Sequence, residues 1–381
     1  MKILFVLNNY YSIGNGLAAS ARRTVQALKD AGQDVRVLSS TNLDPEGPQP
    51  DYQLKHFHFP VFQPIIDAHG YGFASTDKKV VEEAIRWADV VHMEEPFVLQ
   101  IKAQKIARRL GKPVTGTYHL HPENVFYSLL LGGWKLPNQL LLNAWRNLCF
   151  NRWSYVQCPT QNVLERLQRN GFTARLRLIS NGVVPDRSIR VNRENHPYVL
   201  ACIGRLSGEK DQMTLLKAMR CCQHAREVQL VFAGHGPQER KIRRNAERLY
   251  KQGILAYPPE FVFLNRDGLR QLGAKADLCI HCATIEVEGL SIMEAMQQGG
   301  VPIIATGPIT GADQFALDER SLFPQRDARE LARKIDWWLD HPAEREAMSQ
   351  QYTASMESYE ISRSVQALIA MFEEAVAGAG Q

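Results

Sequence analysis

The chain has 381 residues, more than one ordinary core of roughly 100 to 200 residues organises, so two domains are expected. Apolar residues make up 45% and charged residues 22%, with 26 glycines and 19 prolines, a balance that excludes long disorder and collagen-like or low-complexity architecture. The net charge of +5 is uneven: residues 1–185 carry +7 and the remainder −2, which suits an anionic surface or a phosphate-bearing substrate facing the first half. The basic residues follow no recognisable nucleic-acid motif, so no nucleic-acid partner is expected.

The segment Lys2–Leu7 is apolar but too short for a secretory leader and reads as a first strand. No run approaches the roughly 18 apolar residues of a membrane span. A helix from Ala18 to Asp30 and a strand from Val35 to Ser39 follow, then a strand at Val90–Met93, a helix at Leu99–Leu110 and a strand at Val114–Tyr118. Seven sparse cysteines fit a reduced cytoplasm; Cys279 and Cys282 form a lone C-x-x-C in a strand-like run, read as packing rather than zinc or redox chemistry.

After an irregular charged stretch the rhythm restarts with Tyr198–Ile203, Met213–Met219, Val228–Ala233, Glu239–Gln252, Phe261–Leu264, Leu278–His281, Leu290–Gln297 and Val301–Ala305. Short apolar strands alternating with amphipathic helices specify parallel sheets covered on both faces. The expected class is α/β, with two doubly wound Rossmann-like domains facing across a cleft. The first spans 1–185, a linker 186–197, the second 198–356, and a helix 357–381 closes the chain. Ligands in such sheets sit beyond the carboxyl ends of the strands, where the motifs should lie.

The first loop offers Gly14-x-Gly16-x-x-Ala19, a weak dinucleotide fingerprint: six residues separate it from the strand, and the second strand ends in Ser39-Ser40-Thr41 rather than an acid. A nicotinamide enzyme is therefore disfavoured, and what remains is a glycine-rich loop before a helix N-terminus that suits an anion or serves as a plain turn. The segment Thr117-Tyr118-His119-Leu120-His121-Pro122-Glu123 places two imidazoles on one side of an extended chain end, for substrate contact, for structure, or with Glu123 for a metal.

In the second half, Gly204-Arg205-Leu206-Ser207-Gly208-Glu209-Lys210 follows a strand, and its two cations can converge on a pyrophosphate. The sharpest feature is Glu286-Val287-Glu288-Gly289-Leu290-Ser291-Ile292-Met293-Glu294. Gly289, Leu290 and Ser291 read as a helix start with free amides for phosphate, Glu286 lies at the mouth, and Glu294 one and a half turns down. One carboxylate can accept sugar hydroxyls while the other holds a ribose.

On these residues the chain resembles the GT4-type retaining glycosyltransferases of GT-B fold. The resemblance rests on the Gly14–Gly16 loop, Asp89-Val90-Val91-His92, His119, Asn181-Gly182-Val183, the G-R-L-x-x-E-K run, Gly234-x-Gly236-Pro237, and the E-x7-E of Glu286 and Glu294 followed by Ala295-Met296 and Gly299. It implies transfer of a hexose-type sugar from a nucleotide diphosphate donor, a UDP-sugar first and a GDP-sugar second, with retention of configuration. It assigns His119, Glu286, Arg205 and Lys210 as catalytic, with Glu294 on the ribose and Leu264 to Arg266 beside the base. Asn265 stands where the family has glycine, and Val287-Glu288 replaces its frequent Gly-Phe. The resemblance also implies that the last helix crosses back to the first domain.

Arg205, Lys210 and the helix start can stabilise a departing diphosphate electrostatically, and with no Asp-x-Asp motif a metal-independent reaction without cofactor is expected. The stretch from Leu129 to Trp153 mixes aliphatics, tryptophans and cations. It reads either as a helix half buried on the sheet, with Asn138, Gln139, Asn143, Arg146 and Asn147 outward, or as an interfacial helix. A glycan, lipid or lipid-linked saccharide acceptor and an anionic membrane surface are the expected partners, with the protein cytoplasmic and peripheral on the inner face of the membrane as an option. The rival functions are an epimerase or phosphorylase-like enzyme without acceptor transfer, and a non-catalytic nucleotide-sugar-binding partner.

Overall fold

The computed structural model describes residues 1–12, 15–60, 63–68, 71–128, 134–186 and 197–379. The chain divides into two compact units: unit 1 holds Met1–Gly182 and Ile361–Gln381, and unit 2 holds Val183–Glu360.

Unit 1 runs β1 (Lys2–Val6), α1 (Gly16–Asp30), β2 (Asp34–Ser40), β3 (Tyr52–Leu54), β4 (His56–Phe57), α2 (Gln63–Ala68), β5 (Phe73–Ala74), α3 (Lys78–Trp87), β6 (Val90–Met93), α4 (Val98–Arg109), β7 (Val114–Thr117), α5 (Pro122–Ser128), α6 (Lys135–Leu148), β8 (Tyr155–Cys158), α7 (Gln161–Arg169) and β9 (Arg175–Leu178). Its seven-stranded sheet has the order β3-β2-β1-β6-β7-β8-β9. All pairs in it are parallel, with Ile3 opposite Val35 on one side and Val90 on the other. Ile3 to Val6 and Val90 to Val91 are fully buried, as a strand covered on both faces requires. Helix starts carry the expected caps: Asp77 accepts from Lys79 N and Val80 N, and Thr160 from Val163 N.

Unit 2 runs β10 (Tyr198–Ile203), α8 (Gln212–Ala218), β11 (Val228–Ala233), α9 (Glu239–Lys251), β12 (Glu260–Val262), α10 (Arg266–Lys275), β13 (Leu278–His281), α11 (Leu290–Gln297), β14 (Val301–Thr306), β15 (Leu322–Pro324), α12 (Ala328–Asp340) and α13 (Pro342–Ser355). The sheet order is β12-β11-β10-β13-β14-β15, the Rossmann order, again parallel throughout. The last helix, α14 (Ile361–Ala379), belongs to unit 1, where it packs on α1, β6 and β7.

Three boundaries differ from the sequence reading. Unit 1 ends at Gly182 rather than 185, because Val183 N donates to Tyr359 O at 2.8 Å and Val183 bridges Glu360, all within unit 2. Asp186, expected to open a linker, is held in unit 2 by Arg270 and by Gln298 Nε2, which donates to its carbonyl at 2.9 Å. Unit 2 extends to Glu360 rather than 356, since residues Met356–Tyr359 form a 3-10 turn before the last helix begins. The rest of the expected linker, 187–196, lies outside the described residues.

The two chain passages between the units run side by side. Gly182 adopts a φ of +74°, and a Cβ there would lie 2.7 Å from Ile361 Cα. Only glycine fits that crossing.

Candidate functional site

In each sheet the strand order reverses next to the first strand, between β1 and β6 and between β10 and β13, which is where an open α/β sheet leaves its ligand crevice. The candidate residues collect at these two places, one in each unit.

In unit 2, β10 leads into Gly204 and β11 into Gly234, and the two loops touch: a Cβ on Gly234 would sit 2.2 Å from Gly204 O. Leu206 N donates to His235 O at 2.8 Å, fixing the turn that carries Arg205. A 3-10 turn at Gly208–Lys210 follows, and Asp211 then adopts a left-handed φ of 45°, held by a 2.7 Å bond from Thr214 Oγ1. Such a conformation in a non-glycine residue costs about 1–3 kcal/mol and persists where its surroundings impose it.

Each cation of this loop has an acidic partner. Arg205 donates to Glu209 Oε1 at 3.0 Å, Ser207 Oγ to the same oxygen at 2.7 Å, and Thr284 N to the Glu209 carbonyl at 2.8 Å. Burial would raise the Glu209 carboxyl, but Arg205 and Ser207 hold it below the usual range. Lys210 Nζ bonds Glu286, and His281 Nε2 lies 3.1 Å from the same Glu286 oxygen. Burial opposes the charge on Glu286, yet Lys210 and His281 outweigh it and keep the carboxyl well below its ordinary value. Expected to bind phosphate and sugar as separate ligands, Lys210 and Glu286 are bonded to each other.

Next to this pair, Gly289 turns the chain into α11 with φ 94° and ψ 48°, and no side chain caps the helix. Ile292 N donates to Gly289 O at 3.0 Å, and the amides ahead of it lie at the positive end of the helix, which favours an anion. Leu290, Ser291 and Glu294 are half-buried along it. Ser291 Oγ donates to Ile203 O at 3.2 Å, so its hydroxyl ties α11 to β10. At the expected base position Leu264 is half-buried, Asn265 caps α10 by accepting from Gly268 N at 2.9 Å, and Arg266 is exposed. Phe263 stacks on His235 at 4.2 Å along the same sheet edge.

In unit 1, Glu94 and Glu95 leave the end of β6 in different directions. Glu95 accepts from Asn8 N at 2.8 Å and Asn8 Nδ2 at 2.5 Å, and from the Tyr71 hydroxyl. Burial raises its carboxyl above the ordinary value. Glu94 Oε2 lies 2.7 Å from His119 Nε2, and Glu94 Oε1 lies 3.2 Å from His92 Nε2. Although burial acts against its charge, the two imidazoles, His119 first, bring its carboxyl down to about 2. The His119 side chain is 7% exposed, two residues beyond the end of β7.

His121 does not join His119. Pro122 begins α5 directly after it, and the His121 ring is buried, with Nδ1 3.0 Å from an Arg166 nitrogen and 3.2 Å from the Tyr118 hydroxyl. Glu123 pairs with Arg166 at 2.7 Å. The reading of His119, His121 and Glu123 as one set is therefore corrected. In the first loop, Gly14 lies outside the described residues. Gly16 opens α1, but Asn15 Oδ1 accepts from Leu17 N at 3.0 Å and Ala18 N at 3.4 Å, filling the amides expected for an anion.

Glu94 and His281 were missed in the sequence. Both are polar residues at the ends of apolar strands, and the rule that located Arg205 would have located them.

On α6, Leu142 and Trp145 face inward together with Asn138, which donates to Trp134 O at 2.9 Å. Trp134, Leu136 and Leu140 are 62%, 71% and 60% exposed. The expected outward Asn138 is thus inward, and its place outside is taken by leucines. Residues 129–133 of this stretch lie outside the described residues. Among the described residues, no helix is long and apolar enough to cross a membrane.

Two units, each a parallel sheet in Rossmann order with polar clusters at the switch point, define a GT-B protein. A profile for "Glycosyltransferase Family 4" matches residues 14–187, and one for "Glycosyl transferases group 1" matches 186–354. The chain belongs to glycosyltransferase family 4 and is a glycosyltransferase.

It is similar to the alpha-monoglucosyldiacylglycerol synthase of Streptococcus pneumoniae, 24% identical over 81% of this chain and 71% of that one. It is equally similar to the sulfoquinovosyl transferase SQD2 of Arabidopsis thaliana, 24% identical over 94% and 70%. Among solved structures, Anabaena HepE in complex with UDP-glucose matches with a TM-score of 0.71 at 18% identity, over 98% of this chain and 100% of that one, a likeness of fold.

Proposed function

We propose that the protein transfers a hexose from a nucleotide diphosphate donor, a UDP-sugar before a GDP-sugar, to a lipid, lipid-linked saccharide or glycan acceptor with retention of anomeric configuration. The observation that carries this reading is the Lys210–Glu286 pair beside the uncapped start of α11. A departing diphosphate needs positive charge fixed in advance, and Lys210, Arg205 and the amides of Gly289, Leu290 and Ser291 can provide it without a metal ion. In the transfer, the bond from the anomeric carbon to the diphosphate breaks and a bond to the acceptor oxygen forms. The acceptor proton leaves with the nucleoside diphosphate.

In this reading Glu286 is the donor-sugar contact, its second oxygen free to accept a hydroxyl. Glu294 takes the ribose, Leu264 and Arg266 flank the base, and His119 is the active-site histidine. The lipid acceptor draws support from the name of the Streptococcus pneumoniae relative and from the apolar face of α6 next to Lys135, which suits an anionic membrane surface.

The test is incubation of the purified chain with UDP- and GDP-hexoses and with diacylglycerol or glycolipid vesicles. Transfer should occur with the anomeric configuration of the donor preserved by NMR. Lys210→Ala and Glu286→Ala should each lose at least about a hundredfold in turnover. Wild-type turnover in both variants removes the site assignment, and an inverted product removes the retaining mechanism.

A further inference from the structure

We propose that Glu94 is a positioning residue for His119: it pairs with the ring at Nε2, 2.7 Å away, and balances a positive charge on it, leaving Nδ1–H as a charged donor for a substrate oxygen. The active-site role of His119 comes from the proposed function; the pairing with Glu94 stands on the geometry of unit 1 alone.

The charge assignment follows from the hydrogen bonds behind Glu94. Gln157 Nε2 donates to Ile179 O at 3.0 Å, which orients its amide so that Oε1 accepts from the Thr117 hydroxyl at 2.7 Å. Thr117 Oγ1 has thereby given its proton away and can only accept from His92 Nε2, 2.9 Å distant. His92 therefore carries hydrogen on Nε2, and its Nδ1, 2.8 Å from Thr115 Oγ1, can accept from that hydroxyl. Every polar group of His92 is satisfied in the neutral ring.

Glu94 is 3% exposed, and a carboxylate so buried needs a charged partner. The groups that lower its carboxyl most are the imidazoles of His119 and His92, and its titratable neighbours Glu95 and Tyr10 are acids. Glu94 is also the one carboxylate in ion-pair range of His119 among the described residues. The compensating proton thus belongs on His119. A carboxylate that orients an imidazole and stabilises its cation is a recurrent way of preparing histidine for chemistry.

The test has two arms. In 15N-histidine NMR of the wild-type protein at neutral pH, His119 should show two protonated nitrogens and His92 the neutral Nε2–H form; a neutral His119 overturns the proposal. In kinetics, Glu94→Gln should lower kcat roughly tenfold to a hundredfold with little change in donor KM. Glu94→Asp should recover part of the loss, and Glu94→Gln/His119→Ala should be no slower than His119→Ala alone. Losses that multiply in the double variant would show Glu94 to be structural and sink the proposal. If His119→Ala turns over like wild type, the active-site role of His119 fails, and the spectra of the wild-type and Glu94→Gln proteins still decide whether Glu94 sets the ring's charge.

Discussion

Phe372 on the last helix meets the ring of His92 edge-on at 5.2 Å, while Phe5 of the first strand lies 4.9 Å from that ring on its own account. The two ends of the sequence thus pack around the imidazole that backs Glu94. Phe372 is fully buried, so Phe372→Ala should destabilise unit 1 by about 3–5 kcal/mol in denaturant unfolding. A loss below about 1 kcal/mol would show that α14 contributes little to this core.

Acid should weaken unit 1 through Glu94. Its carboxyl sits at about 2 in the folded chain against an ordinary 4.5, so its stabilisation is complete above about pH 4.5 and disappears as the pH falls toward about 2. The unfolding free energy from denaturant titrations should therefore fall over that interval by on the order of 3 kcal/mol, and Glu94→Gln should lack this component of the slope. Parallel curves for the two proteins would refute it. Glu286, also held below its ordinary value, gives unit 2 a slope of the same sign.

Removing Lys210 strands the Glu286 charge. Lys210→Met should cost about 3–5 kcal/mol, and Glu286→Gln placed on top of it should restore part of that loss, since the second change removes the unpaired ion. Donor turnover should stay low in the double variant. Additive destabilisation in urea titrations would mean that the two side chains do not depend on each other.

Gly289→Ala tests the start of α11. With φ at 94° and a new Cβ 2.9 Å from Ala312 Cβ, the turn has to shift, at a cost of about 1–3 kcal/mol. The expected kinetic signature is a raised donor KM, because the amides move off the phosphate position. An unchanged KM would place the donor elsewhere.

The exposed face of α6 gives a surface prediction. Trp134→Ala with Leu136→Gln and Leu140→Gln should reduce sedimentation with anionic vesicles while leaving stability within about 0.5 kcal/mol per substitution, as the side chains are largely exposed. Equal sedimentation of variant and wild type would remove the membrane reading.

The sheets were legible in the sequence where strands are buried on both faces, because continuous apolar runs such as Ile3–Leu7 and Val228–Ala233 have few other uses. Edge strands were not: Arg175–Leu178 is half polar and Tyr52–Leu54 spans three residues, so neither carries a periodic signal. At the site, glycines and charges located the Gly204–Lys210 loop and the start of α11. What the sequence hid was pairing. Nothing local indicates that Lys210 bonds Glu286 76 residues away, or that Glu94 rather than His121 is the neighbour of His119. His121 was misread because alternation along an extended chain no longer applies once Pro122 starts a helix. Asn138 was misread because a polar side chain can turn inward when a backbone carbonyl, here that of Trp134, is there to receive it.

The adjoining passages at Gly182 and Ile361 give the chain the form of a genetic insertion. Residues 183–360 are one continuous piece whose two ends are already bridged to each other, whereas the rest is a host interrupted at a single point. Such a piece can be excised and expressed alone, or exchanged for its counterpart from a relative, without tearing any strand from its sheet. Of the two units, the one bearing Arg205, Lys210 and Glu286 is the transplantable half.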